Sequence, residues 1–229
     1  LHIGYTESLF LALALGSFVA ARERRWWLAG LLGAFTSLSR VNGLLLVPAL
    51  IAEAFLQYRS EGRKLRPGWL WIALVGAGFI CYLLINVHVF GRPFAFLEVQ
   101  SVYWSKSLTS PWVGIGGMVH SMQTRTPSEA QMVGWQELFF TMLGLGCTVW
   151  CGFKLRLSYT VWMATNWLLW TSTKFVLSVP RYTLIMFPIY ILFARTAARR
   201  PLWGGAIAVW SLLFLALFAS VFVQGKWAF

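Results

Sequence analysis

The chain has 229 residues, 59% of them hydrophobic and only 11% charged, whereas an ordinary soluble domain carries about a quarter charged residues; a soluble core cannot absorb so much apolar surface. Its net charge of +12 raises nucleic acid as a partner, but the 19 Lys and Arg residues fall in short clusters between apolar runs, a pattern of membrane topology rather than of a nucleic-acid face. Runs such as Leu9 to Ala21 and Ile207 to Val223 do not alternate apolar with polar residues, which excludes a membrane barrel and leaves helices as the way to satisfy the backbone in lipid.

In chain order, the sequence begins at Leu1 with no basic segment or cleavage site before Tyr5-Thr6-Glu7-Ser8, so it reads as the C-terminal part of a longer membrane domain. Apolar runs between charged or Pro/Gly breaks then predict about eight spans, at 7–21, 26–39, 43–57, 68–90, 136–153, 157–177, 182–197 and 203–223. The fold class is an all-α polytopic transmembrane bundle, a single integral membrane domain over 1–229. The second and third runs join into one helix unless the chain breaks at Arg40-Val41-Asn42-Gly43, and charge decides between the two. With the break, 12 basic residues (the clusters Arg22–Arg25, Arg59–Arg66, Lys154–Arg156 and Arg195–Arg200) share one side and seven scattered ones share the other. Without it the split is nine against nine, with Arg40 stranded in the membrane. The positive-inside rule selects the break. The clusters are then cytoplasmic, and Glu7, Arg40, residues 91–135, Arg181 and the C-terminus face the periplasm or lumen.

Residues 91–135 form the longest stretch without a clean span, mixing aromatics with Pro93, Pro111 and Pro127. They are expected to be an outer loop with a short helix lying on the membrane surface. Ala29-x3-Gly33 and Ala73-x3-Ala77 have the small-residue spacing that lets membrane helices pack closely. Cys81, Cys147 and Cys151 lie inside apolar runs and give neither a disulfide framework nor metal-ligand spacing. His2, His88 and His120 are scattered, and Gly114-Ile115-Gly116-Gly117 lacks the Lys of a phosphate loop, so no metal site or cofactor is evident.

The chemistry-bearing residues are few. The chain has seven Glu and no Asp. Glu7, at the outer end of the first span, is either an interfacial helix cap or part of a water-facing site. Arg40, Lys174 and Arg181 all fall near outer span ends. They are either an anion site, for which Arg offers forked donors, or snorkelling interface anchors.

Taken together, Tyr5-Thr6-Glu7-Ser8-Leu9-Phe10, Ser39-Arg40-Val41-Asn42-Gly43, Phe90-Gly91-Arg92-Pro93-Phe94-Ala95-Phe96 with Gln100 and Trp104, and Pro180-Arg181-Tyr182 leading to Phe187-Pro188 resemble bacterial relatives of the PIG-V mannosyltransferases. The resemblance spans nearly the whole chain. It implies a GT-C glycosyltransferase of the bacterial inner membrane that moves a sugar, mannose in that family, from a polyprenyl-phosphate donor to a lipid or glycan acceptor on the outer face. It further implies Arg40, Arg181 and Lys174 as donor-phosphate groups, Tyr5, Asn42, Gln100, Trp104 and Tyr182 as substrate contacts, and Glu7 in a catalytic or positioning role. The family's acidic residue in the first outer loop would precede Leu1. Without the resemblance, the same outer basic residues suit a transporter or flippase for a lipid-linked anion, or a non-catalytic membrane subunit.

Overall fold

The computed structural model describes residues 6–225, and among them every regular element is helical, apart from one isolated antiparallel bridge between Leu108 and Thr173. The chain divides into two compact units. The first takes the residues up to Ser107 together with Leu155–Asn166; the second takes Leu108–Lys154 and the residues from Trp167 onward.

The first unit begins with a helical hairpin, α1 (Glu7–Arg22) and α2 (Trp26–Ser39). The turn between them needs Arg24 at φ +65°. Ser17 Oγ donates to the Ala29 carbonyl at 2.8 Å across the hairpin. A 3-10 turn (Val41–Leu45) leads into α3 (Leu46–Ser60), and a second (Pro67–Ile72) into α4 (Ala73–Phe90), which is followed by α5 (Ala95–Trp104).

The contact between α2 and α4 is set by missing side chains. A Cβ on Gly30 would lie 2.1 Å from the Trp71 carbonyl oxygen, one on Gly33 would lie 2.6 Å from Val75 Cγ2, and one on Gly78 would lie 2.0 Å from the Ala34 carbonyl oxygen. Ser37 Oγ, at that close approach, donates to the Val75 carbonyl at 2.6 Å. The pairs 30 with 71, 33 with 75 and 34 with 78 rise together, so α4 runs parallel to α2. The small-residue expectation holds for Ala29 and Gly33, which are buried; on α4, however, Val75 and Gly78 make the contact while Ala73 is exposed.

The second unit holds α6 (Pro111–Thr124), the short α7 (Pro127–Ala130), a π turn (Gln131–Trp135) and α8 (Gln136–Lys154). After α9 (Leu157–Thr171), which begins in the first unit, come α10 (Val179–Leu184), α11 (Pro188–Arg199) and α12 (Pro201–Val223). The expected outer loop thus contains three helices rather than one short one.

Among the described residues, three helical segments are long and apolar enough to cross a bilayer: Val41–Ser60, Pro67–Phe90 and Pro201–Val223, with mean hydropathies of 1.5, 2.2 and 2.5. These carry the membrane assignment. At ~1.5 Å per residue, α1, α2 and α9, with 16, 14 and 15 residues, fall short of a ~30 Å hydrocarbon layer as straight helices. Two expected spans also change shape. The run 157–177 stops being helical at Thr171, and the run 182–197 is split between α10 and α11 at Pro188, whose missing N–H and bulky ring do not fit a helix interior.

Candidate functional site

In the first unit, the hairpin fold alone brings two of the sequence motifs together. Glu7 is the first residue of α1 and Arg40 directly follows α2, so antiparallel packing sets them at one end. Arg40 Nη1 lies 2.6 Å from Glu7 Oε1, with the two side chains 22% and 16% exposed. An ion pair half removed from water is stronger than an exposed one, because the surrounding dielectric is lower. Glu7 also stands in the first turn of α1, where a carboxylate meets the positive end of the helix dipole. Thr6, the residue before it, makes no side-chain capping bond.

The backbone around Arg40 is shaped for this contact. Arg40 is extended, at φ −155° and ψ 141°, and the Gly43 N–H returns to the Arg40 carbonyl at 2.9 Å. The turn folds so tightly onto α2 that a Cβ on Gly43 would lie 2.4 Å from both Ser37 Cα and Ser37 N. Glycine is required by that approach, and the reversal keeps Arg40 at the rim instead of inside a continuous helix. Asn42 sits half-buried in the same turn.

Because α4 is parallel to α2, its Phe90 end and α5 belong to the same end of the unit as Arg40. Gly91, at φ +72°, closes α4. The motif's Phe96 ring then meets Tyr82 edge-on at 5.5 Å, and Arg92 pairs with Glu98 at 2.7 Å in the open. Gln100 and Trp104 are exposed on α5. At the opposite end, Glu61 receives Arg24 at 2.6 Å and Arg66 at 2.5 Å, so two of the basic clusters that the charge rule grouped together do meet. Deeper on that side, Glu53 is fully buried and accepts from Arg156 Nη2 at 2.7 Å, Arg156 Nε at 3.2 Å and Ser158 Oγ at 2.7 Å. Arg22 Nη1 donates to the Tyr159 hydroxyl at 3.0 Å beside it.

In the second unit, the Pro180-Arg181-Tyr182 motif forms α10, and a carboxylate from α8 holds its start. Glu137, 1% exposed, accepts the Ser178 N–H at 2.6 Å and the Val179 N–H at 2.7 Å. Ser178 adopts φ +70°, a left-handed conformation uncommon for serine, which turns the two amides toward that one carboxylate. Tyr182 stacks on Trp170 at 5.9 Å between ring centroids. Arg181 is half-buried in α10, and Lys174 is exposed in the irregular segment before it. That segment is tied to the strand-like residues Leu108 and Thr109, the Thr109 N–H donating to the Ser172 carbonyl at 3.0 Å.

The structure therefore joins Glu7 to Arg40, and places Asn42, Gln100 and Trp104 at the same end of the first unit. Arg181, Tyr182 and Lys174 belong to the second unit, and Tyr5 lies outside the described residues. Among the described residues, no group of three or more His, Cys, Asp or Glu side chains is arranged to hold a metal ion. Sequence reasoning gave Glu137 no role, and it read Glu53 as an acid near a span end that could snorkel or pair without naming Arg156 as its partner. A usable signal for Glu137 was its scarcity, since only Glu129 shares its unit. Comparisons of the chain with protein-family models, with curated proteins and with solved structures find no match in any of the three.

Proposed function

We propose that the protein is a membrane glycosyltransferase that moves a sugar, with mannose as the first candidate, from a polyprenyl-phosphate donor to a lipid or glycan acceptor on the periplasmic or lumenal face. The observation that carries this reading is the Glu7–Arg40 ion pair, which unites two motifs separated by a helical hairpin. The eight-span topology belongs to the same proposal: α1, α2, α8, α9 and the α10–α11 stretch join the three long apolar segments, with the local bilayer thinning that helices as short as α1, α2 and α9 require.

The chemistry asks for two things. A sugar on a lipid phosphate leaves behind a stabilised anion, so the protein must bind that phosphate and take a proton from the acceptor hydroxyl. Arg40 suits the first task. A guanidinium has five N–H donors, and the contact with Glu7 aims the group while leaving donors for phosphate oxygens. Glu7 is then a positioning residue for Arg40. Gln100 and Trp104, an amide and an exposed aromatic face on α5, suit a hydroxylated ring. Arg181, Lys174 and Tyr182 keep their assignments to donor phosphate and substrate from the resemblance alone.

The test uses purified full-length protein with a radiolabelled polyprenyl-phosphate sugar, followed by lipid extraction. Label moving to an acceptor is expected. Arg40→Gln and Glu7→Gln, at matched folded protein, are each expected to lower transfer by ~10²-fold or more, the usual scale for a positioned catalytic group, with Glu7→Gln also raising the donor KM. If Glu7 is only a helix cap, its loss costs about 1 kcal/mol of stability and leaves transfer unchanged. Label that changes leaflet without being transferred would make the protein a transporter instead.

A further inference from the structure

The second unit carries a groove that the proposed reaction does not use. It lies between α8, α11 and α12 and has a volume of about 600 Å³, inside the ~300–1,000 Å³ range of sites that receive small organic molecules. Leu143, Ile207 and Trp210 line its apolar length, while Arg199, Arg200 and Trp203 stand at one end. From Trp203 to Trp210 the groove follows about 10 Å of helix.

Charge separates this groove from an ordinary gap between membrane helices. The described part of the second unit contains two acids, Glu129 and Glu137. Glu129 accepts from Thr126 Oγ1, and Glu137 holds the start of α10. Among the described residues of this unit, no carboxylate meets Arg199 or Arg200. Two neighbouring cations add to the field: Lys154, at the end of α8, and Arg195, whose Nη1 donates to the Lys154 carbonyl at 3.1 Å. A basic end without acids and an apolar trough continuing from it complement a molecule with an anionic head and a hydrocarbon tail. α12 buries none of its residues, so the trough opens onto an uncovered apolar face of the kind that suits lipid.

We propose that this groove binds an anionic glycerophospholipid of the surrounding leaflet, its phosphate between Arg199 and Arg200 and one acyl chain along Leu143, Ile207 and Trp210. A forked guanidinium on each side of a phosphate is the geometry at which Arg excels. Trp203 sits at the headgroup level, where an amphipathic ring is at home. The N-terminal end of α12, which begins at Pro201, adds partial positive charge at the same place.

The test is native mass spectrometry of the full-length protein released from vesicles of equimolar phosphatidylglycerol and phosphatidylcholine. Retained lipid is expected to be phosphatidylglycerol by about fivefold or more. Arg199→Gln and Arg200→Gln should each reduce that preference by about fivefold, the scale of one Arg beside an anionic headgroup; Arg199→Lys, which keeps the charge but loses the fork, should reduce it by less, whereas Arg125→Gln should leave it unchanged. Ile207→Trp, which fills the trough without touching charge, should lower retention of both lipids. Equal retention of the two lipids, or an unchanged preference in both Gln variants, would overturn the proposal. So would displacement of phosphatidylglycerol by polyprenyl phosphate added at equal mole fraction, which would give the groove to that lipid. None of these readouts involves sugar transfer, so failure here leaves the glycosyltransferase reading to its own assay.

Discussion

Glu137→Gln removes one charge and almost no volume from the contact that starts α10. In the native unit one carboxylate oxygen accepts the Ser178 N–H at 2.6 Å and the other accepts the Val179 N–H at 2.7 Å. Both amides belong to buried residues. A carboxamide offers a single oxygen and turns its NH2 group toward the other amide. One charge-assisted bond becomes a neutral one, a loss of about 1 kcal/mol, and one buried N–H is left unpaired at a cost of about 1–3 kcal/mol. The sum is roughly 2–4 kcal/mol. It is read from the midpoint of SDS-driven unfolding of the full-length protein in mixed micelles, with Glu129→Gln as the control. Glu129 is exposed and bonds only within its own turn, so the control should stay within about 0.5 kcal/mol of wild type. If Glu137→Gln also stays within that margin, the carboxylate is not what holds the start of α10.

Gly78→Ala should destabilise the first unit by about 1–3 kcal/mol through overpacking, because its Cβ would fall 2.0 Å from the Ala34 carbonyl oxygen, while Gly76→Ala, with nothing within 4 Å, should be neutral in the same unfolding assay. Arg156→Met should cost about 2 kcal/mol, less than the usual ~3–5 for a fully buried pair, because Arg156 is 40% exposed although Glu53 is only 1% exposed. Adding Glu53→Gln to that variant should recover part of the loss, and no recovery would refute the pair as the cause. Single cysteines at Ser60 and Thr124 should label from opposite sides of a sealed vesicle with an impermeant reagent; labelling from one side would end the proposed topology.

The helix ends that the sequence located well are those decided by local residues or by the charge rule. Expected spans at 7–21, 26–39, 136–153 and 203–223 lie within about two residues of α1, α2, α8 and α12. The break at Arg40 was legible because a wrong choice there would scatter the basic residues evenly across the membrane. The segment after Thr171 was not legible, since Phe175-Val176-Leu177 looks like the continuation of an apolar helix. Its backbone is instead held by distant partners: Thr109 on Ser172, and Glu137 on Ser178 and Val179. Pro188 was visible as a breaker and was read through. In the candidate site, Glu7 and Arg40 meet because one hairpin joins them. Glu53 and Arg156 are 103 positions apart, and no periodicity in the sequence relates them.

The interleaving of the two units has a consequence for how the chain is made. Phe10 and Phe18 of α1 pack their rings on Trp162, and Glu53 of α3 waits for Arg156, yet the first unit receives Leu155–Asn166 only after Leu108–Lys154 has gone to the second. At roughly 5–20 residues per second, the ribosome needs about 5–20 s to travel from Glu53 to its partner. During that interval the hairpin of α1 and α2 is complete, while the aromatic face it will bury and the acid beside it have nothing to close on. A pause in translation between residues 108 and 154 lengthens that interval, and it does so without altering a single contact of the finished protein.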